Sequence, residues 1–545
     1  AVYILMAQTF NNGGGFLGLF KSEDSGDTFS ASPNTTNIFE ANQTFFNLAL
    51  EVSPENENFL FTGALNIWNS SDGGDNFNQV KQWFTNNAVY THADIHFIRY
   101  FGDTLFVGTD CGLYISTNDG ASFQDRTGNM EITQFYRITT AQNDPGRIAG
   151  GTQDNSGFIL NNGSWNVYTG GDGMDYEIDP NNPNLIYGFV QFGEFLFITT
   201  NAGETVGAVS VPRDGAGNPL LEGNWITPLD VSSTGEVYAG FNAVYRLDGN
   251  QWTQISDGFS TENNPEIEDL EVDPNNPNII YVAESNNLFR SEDAGENFIQ
   301  IASFGGAISS FEINHNDSNV LYVTTSRRVG IPQFAQPSSR GVFRVTFDGV
   351  DDATVENITS NLPTDQAFFS IAHQAGHPNN PIFVGTHLGV YRLDDTRTEW
   401  EGFFTGLPNN AIGDLEINPS DGIITASSYG RGIWQSPIPL LAAQNDIELI
   451  SVTPTPDTIV CGEFFPEITV QNNGTEAVTA VDVSFTINGG NPQTFTWNGS
   501  IATMAQQTIP LPSQLSSEIG AIQLEVTATI PNDFFANNNT ASTSL

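Results

Sequence analysis

Four short segments decide the fold: SEDSGDTF (Ser22 to Phe29), SSDGGDNF (Ser70 to Phe77), STNDGASF (Ser116 to Phe123) and SEDAGENF (Ser291 to Phe298). The pattern is Ser-x-Asp-x-Gly-x-x-Phe, with Asn replacing Asp once. The serines are Ser22, Ser70, Ser116 and Ser291; the third position holds Asp24, Asp72, Asn118 and Asp293. Gly26, Gly74, Gly120 and Gly295 follow, and Phe29, Phe77, Phe123 and Phe298 close the pattern. The mechanics are local. A short carboxylate or amide accepts hydrogen bonds inside a tight turn, glycine supplies a positive φ, and the ring packs inward. These acids are therefore expected to serve their own turns. Calcium is the one ion they would suit, and no cofactor is otherwise expected.

Working outward, degenerate copies fill the gaps. TTNAGETV (Thr199 to Val206) keeps the glycine, while runs ending at Trp165, Trp252 and Trp400 keep the aromatic. The closing positions 29, 77, 123, 165, 206, 252 and 298 stand 41 to 48 residues apart, the length of one four-stranded propeller blade. A second motif interleaves with the first: EIDPNNPNLIYG, EVDPNNPNIIYV, EINHNDSNVLYV and EINPSDGIITA each pair two strands around a polar turn. About ten such units fit between residues 1 and 438. The first lacks its opening strand and the last lacks a fourth. They form either one large ring or parts of two rings of about seven blades, and the mid-blade start favours two.

Beyond residue 440 the pattern changes to about seven short strands with polar turns, as in an immunoglobulin-like sandwich. The expected division is thus 1–440, an N-terminally incomplete propeller region, and 441–545, a β-sandwich. The whole is all-β, in keeping with 53 Gly, 27 Pro and 41 Phe. With 63 acidic against 16 basic residues the net charge is −47, which repels nucleic acid and anionic lipid. No apolar run is long enough for a transmembrane helix, so no membrane insertion is expected. Cys111 and Cys461 fall in different units and suggest neither a disulfide framework nor a zinc site. Residue 1 already lies in a strand-like run, so an export signal is expected to have been removed.

The Ser-x-Asp-x-Gly-x-x-Phe turn resembles the Asp box of bacterial neuraminidase-type repeats. The chain resembles secreted or surface sortilin-like Asp-box propellers of Bacteroidetes in THADIHFI (Thr91 to Ile98), QFYRI (Gln134 to Ile138), GGTQDN (Gly150 to Asn155), GGDGMDYEIDP (Gly170 to Pro180) and SSYGRGIW (Ser427 to Trp434). The tail resembles a CARDB-type adhesion module in its NNGT and ANNNT turns. The resemblance implies fold, export by a type IX route and contact with that secretion machinery. One departure is Cys111, where glycine is usual.

Two constellations remain as candidate ligand contacts. His92, Asp94 and His96 alternate along a predicted strand and so share one face. Both histidines would lie about 13 Å apart there, too far to hold one ion without a neighbouring blade. The alternative is structural hydrogen bonding between blades. Gln153, Asp154 and Asn155, with Asp172 and Asp175 in the next blade, follow glycines that let a backbone approach a ligand. Paired carboxylates there suit glycoside hydrolysis. The alternative is that they stabilise turns. Sialidase chemistry finds no arginine triad, and RVGIP (Arg328 to Pro332) is not the signature it requires. Xyloglucanase-type hydrolases share such turns and a two-ring plan, but none of their catalytic motifs occurs here. With no complete catalytic set, the expected function is non-catalytic binding or adhesion at an extracellular polysaccharide or surface protein. A polysaccharide hydrolase and a structural subunit of a surface appendage or secretion complex are the alternatives.

Overall fold

The computed structural model describes residues 1–9, 13–40, 43–80, 82–83, 90–213, 216–259, 267–327, 336–349, 353–438, 445–453, 463–474, 476–503, 505–512, 515–516, 522–531, 533 and 539–544. Cys461 and the RVGIP segment lie outside them. Among the described residues, ten antiparallel sheets follow one another up to Pro437. Each runs in chain order from its first strand to its last, the meander of a propeller blade. The first and last sheets have three strands and the others four.

Seven of these sheets close on themselves. Their opening strands are Phe135–Thr140, Gly173–Ile178, Leu229–Val231, Ile267–Val272, Ile308–Ile313, Phe368–His373 and Ile412–Asn418. The seventh returns to the first: the Ile138 N–H donates to Asp414 Oδ2 at 3.0 Å, and Asn418 Nδ2 donates to the Ala141 carbonyl at 2.9 Å. Gln134 also bridges to Tyr429. One apolar cluster runs through five of the blades, with Tyr136, Met174, Phe241, Phe369 and Tyr429 among its members. The three sheets of residues 2–125 precede this ring and stack in sequence order, Gly63 of the second lying against Ile95 of the third.

The repeated turn explains how blades stack. In each copy the serine hydroxyl donates to the third-position side chain and receives the glycine N–H: Ser70 Oγ to Asp72 at 2.8 Å, Gly74 N to Ser70 Oγ at 2.8 Å. Asp72 also takes the Asn76 N–H and amide, at 3.0 and 2.7 Å, and Asp24 and Asp293 are consumed in the same way. Bonds from Thr28 then hold the Asp24 carboxyl down at about 2. Thr199 and Asn201 build the same turn in the degenerate copy, with Gly203 N on Thr199 Oγ1 at 2.9 Å. The glycine is needed for packing as well as for φ. A Cβ on Gly74 would stand 2.1 Å from Leu19 of the preceding sheet, and one on Gly120 would stand 2.9 Å from Phe61. Phe123 packs inward as expected, whereas Phe29 is 40% exposed, its copy having no sheet beneath Gly26 among the described residues.

Among the described residues the tail forms two main sheets and a two-stranded pair, Glu463–Phe464 with Leu515–Ser516. Ile447–Thr453, Glu467–Asn472 and Gln506–Pro510 make one; Val478–Ile487, Gln493–Ile501, Gln523–Thr529 and Thr540–Ser544 make the other. Alternate residues such as Ile468, Val470, Val483, Phe485 and Val526 fill the space between them. This is an immunoglobulin-like sandwich.

Candidate functional site

The ring carries its carboxylates in two places, and they behave differently. The first is the central channel, a cavity of about 390 Å³ lined by the opening strands. A β-bulge near the start of several of these strands, as between Ile267 and Asp269 and between Ile412 and Asp414, re-aims the following side chains at the axis. Asp175 then takes the Tyr176 N–H of its own strand and the Leu229 N–H of the next blade, at 3.1 and 3.0 Å. Asp269 does the same with Leu270 and Phe311, and Asp414 with Leu415 and Ile138. One layer deeper, Glu271 takes the Ile313 N–H at 3.1 Å and Glu312 the His373 N–H at 3.2 Å. Asp230 and Glu177 occupy the same layer, on Val272 and Thr139. These carboxylates pin neighbouring blades together.

Burial outweighs those bonds. It pushes Asp175 up to about 7 and raises Glu177, Asp230, Glu271, Glu312 and Glu416 too, each aggravated by its acidic neighbours. Burial likewise holds His315 and His373 in the neutral form. Arg137, 3.7 Å from Asp414, is the one guanidinium among the described lining residues.

The second place is the end of the ring where its opening strands begin. Asp154 adopts φ +58° in the turn after Ile148–Thr152, and its N–H donates to Asp172, which precedes the next blade's opening strand. Gln153 accepts the Tyr429 hydroxyl, and Asn155 Nδ2 caps the Gln153 carbonyl at 3.0 Å. From the preceding sheets, Asp110 joins this cluster. It pairs with His96, raising that imidazole's affinity for a proton, and lies close enough to raise both Asp94 and Asp154. Asp94 is held by Gln43 and Asn47, and burial followed by Asp110 pushes it up to about 6. Burial first, then Asp172 and Asp110, lifts Asp154 far above the usual carboxylate range. Burial raises Asp172 as well.

Aromatic side chains border the cluster. Phe192, 38% exposed, is fixed at φ +59° against Trp225, ring centroids 5.1 Å apart. The neighbouring Gln191 lies against Gly171, next to Asp172. Phe46 is exposed and meets the His96 ring edge-on at 4.8 Å. A β-branched or aromatic residue at positive φ is an outlier, and such positions gather at ligand contacts.

The structure thus distributes the eight sequence-derived candidates as follows. Asp94, His96, Gln153, Asp154, Asn155 and Asp172 belong to this one end-face cluster. Asp175 is a blade-to-blade staple in the channel. His92 offers its backbone to the Tyr114 hydroxyl. The expected alternating strand is corrected here: the strand begins at Ile95, and Asp94 sits before it at φ +62°, so the two-residue period does not extend back to His92. Asp110, Tyr429, Trp225 and Phe192 were not singled out from the sequence. Only the turn that places Cys111 after Asp110 offered a hint of the first.

These features define the class: an all-β protein of propeller blades followed by an immunoglobulin-like sandwich. No family model and no curated protein matches the chain. Among solved structures it is similar to the extracellular domain of a hybrid two-component system from B. thetaiotaomicron, at 12% identity and TM-score 0.43, covering 99% of this chain and 74% of that one. It is also similar to a GH74 xyloglucanase from Xanthomonas campestris, at 13% identity and TM-score 0.32, covering 80% and 89% respectively.

Proposed function

We propose that the chain is an extracellular glycan-binding protein whose end-face cluster receives a segment of polysaccharide. The observation that carries this is the meeting of Asp94, His96 and Asp110 with Asp154 and Asp172, rimmed by the exposed rings of Phe46 and Phe192. Sugars are recognised by that combination: carboxylates and amides bind hydroxyl groups while flat rings cover the apolar faces of pyranoses. The sandwich serves as spacer or adhesion module. A net charge of −47 directs the protein to neutral or cation-bridged polymers and away from polyanions.

A hydrolase is the second reading, and one observation favours it. Asp172 lies beside Asp154, whose N–H it accepts, and burial raises the Asp154 carboxyl in the direction a general acid requires. A panel of neutral polysaccharides presented to the intact chain separates the two, scored for retention and for newly released reducing ends. Retention without release, weakened by Asp172→Ala, supports binding. Release that Asp154→Asn abolishes replaces it with hydrolysis. No retention on any polymer removes the glycan reading altogether.

A further inference from the structure

The channel holds a feature that end-face binding does not use. Its four repeated turns read Glu177-Ile-Asp-Pro180, Glu271-Val-Asp-Pro274, Glu312-Ile-Asn-His315 and Glu416-Ile-Asn-Pro419. All four final residues line the same cavity, and only the fifth blade replaces proline with histidine. The substitution sets an imidazole beside two carboxylates. Ligand atoms of Glu271, Glu312 and His315 all lie within 4.8 Å of one another, with His315 Nε2 3.4 Å from Glu312 Oε1. Ligands on a zinc-sized ion with bonds of about 2.1 Å stand up to about 4 Å apart, so small side-chain rotations complete the set.

A second observation is independent of the carboxylates. His373, 2% exposed, lines the same cavity, its ring 5.8 Å from that of His315. Its Nδ1 accepts the His315 N–H at 3.2 Å, which leaves the proton on Nε2. Among the described residues that buried Nε2–H meets no acceptor in hydrogen-bond geometry, although Asn380 is close enough to favour its proton. A water held on an ion at the neighbouring triad is an oxygen acceptor of the kind it lacks.

We propose that the channel binds one divalent transition cation, zinc or manganese, through Glu271, Glu312 and His315, with His373 donating to a metal-bound water. The imidazole selects against calcium and magnesium, which take oxygen ligands. Charge favours occupancy, because the channel's repeated acids face a single guanidinium among the described lining residues. A path exists: a third of the His315 side chain and a fifth of Glu312 are open to solvent. The ion would tie the fourth blade to the fifth.

The test is a manganese titration of the full chain followed by electron paramagnetic resonance, with zinc as competitor and excess magnesium to occupy surface acids. One manganese held per chain and displaced by zinc is expected, weakened at least about tenfold in Glu271→Gln and His315→Ala. Glu271→Gln retains an acceptor for the Ile313 N–H, so its fold is expected to survive. Hydrogen exchange on the wild type with and without zinc gives a second readout, slowed at residues 312–315. Ions that magnesium strips away, variants that bind as wild type does, or protection confined to other segments would each overturn the proposal.

Discussion

Asp414→Ala tests how the ring is closed. Asp414 joins the last blade to the first through the Ile138 N–H at 3.0 Å, takes the Leu415 N–H at 3.0 Å, and faces Arg137 at 3.7 Å. Arg137 is buried, its side chain 7% exposed. Removing the carboxylate leaves the Ile138 donor unsatisfied, at a cost of about 1–3 kcal/mol. Stripping a buried arginine of its sole partner costs about 3–5 kcal/mol, but Asp175 and Asp269 also attract this one, so a fraction applies. Relief of repulsion among the remaining acids offsets part of the loss. The net expectation is about 2–4 kcal/mol, concentrated at the seam. Hydrogen exchange read at Ile138 should then accelerate by roughly 30- to 1000-fold. Asp414→Asn, which keeps one acceptor, should fall between. Acceleration of less than about threefold at Ile138, or an equal change in every blade, would refute the idea that this carboxylate closes the ring.

Other consequences follow from single positions. Gly74→Ala places a methyl 2.1 Å from Leu19 and demands a left-handed φ of +92°, so a destabilisation of about 2–4 kcal/mol is expected in thermal unfolding, against about 1 kcal/mol for Asp72→Ala in the same turn. Asp175 has a folded pKa of about 7 against an ordinary 3.8, so the folded state holds the proton longer than the unfolded chain. Its stabilising contribution is therefore complete below about pH 4 and is lost as pH rises towards 7. Melting temperatures across that window should fall less steeply in Asp175→Asn than in the wild type. Phe192→Ala should cut polysaccharide retention about tenfold in affinity electrophoresis while leaving the melting temperature nearly unchanged, since the ring is partly exposed.

The blades were legible because their decisive turn is local. The Ser70 hydroxyl, the Asp72 carboxylate and the N–H groups of Gly74 and Asn76 satisfy one another, so eight consecutive residues carry the turn. The copy at Thr199 to Val206 was under-read because threonine and asparagine make the same bonds as serine and aspartate. The end-face cluster was half legible. Asp154 and Asp172 stood out by their glycines, but Asp110 acquires its meaning only from contact with another blade's Asp154. The alternation that aligned His92 with His96 failed at Asp94, whose positive φ is set by tertiary contacts to Gln43 and Asn47. The channel acids lay in plain view within the Glu-Ile-Asp-Pro type repeats. A two-residue period says which side chains share a face, not that seven such faces converge on one axis.

The central claim is that a polysaccharide sits on the end-face cluster, and hydrogen-exchange footprinting of the intact chain with a retained polymer tests it most directly. Protection of residues 153–156, 171–173, 191–193 and 225, with the sandwich unchanged, is the predicted result. Protection confined to residues 447–544, or absent from the ring, would contradict the account.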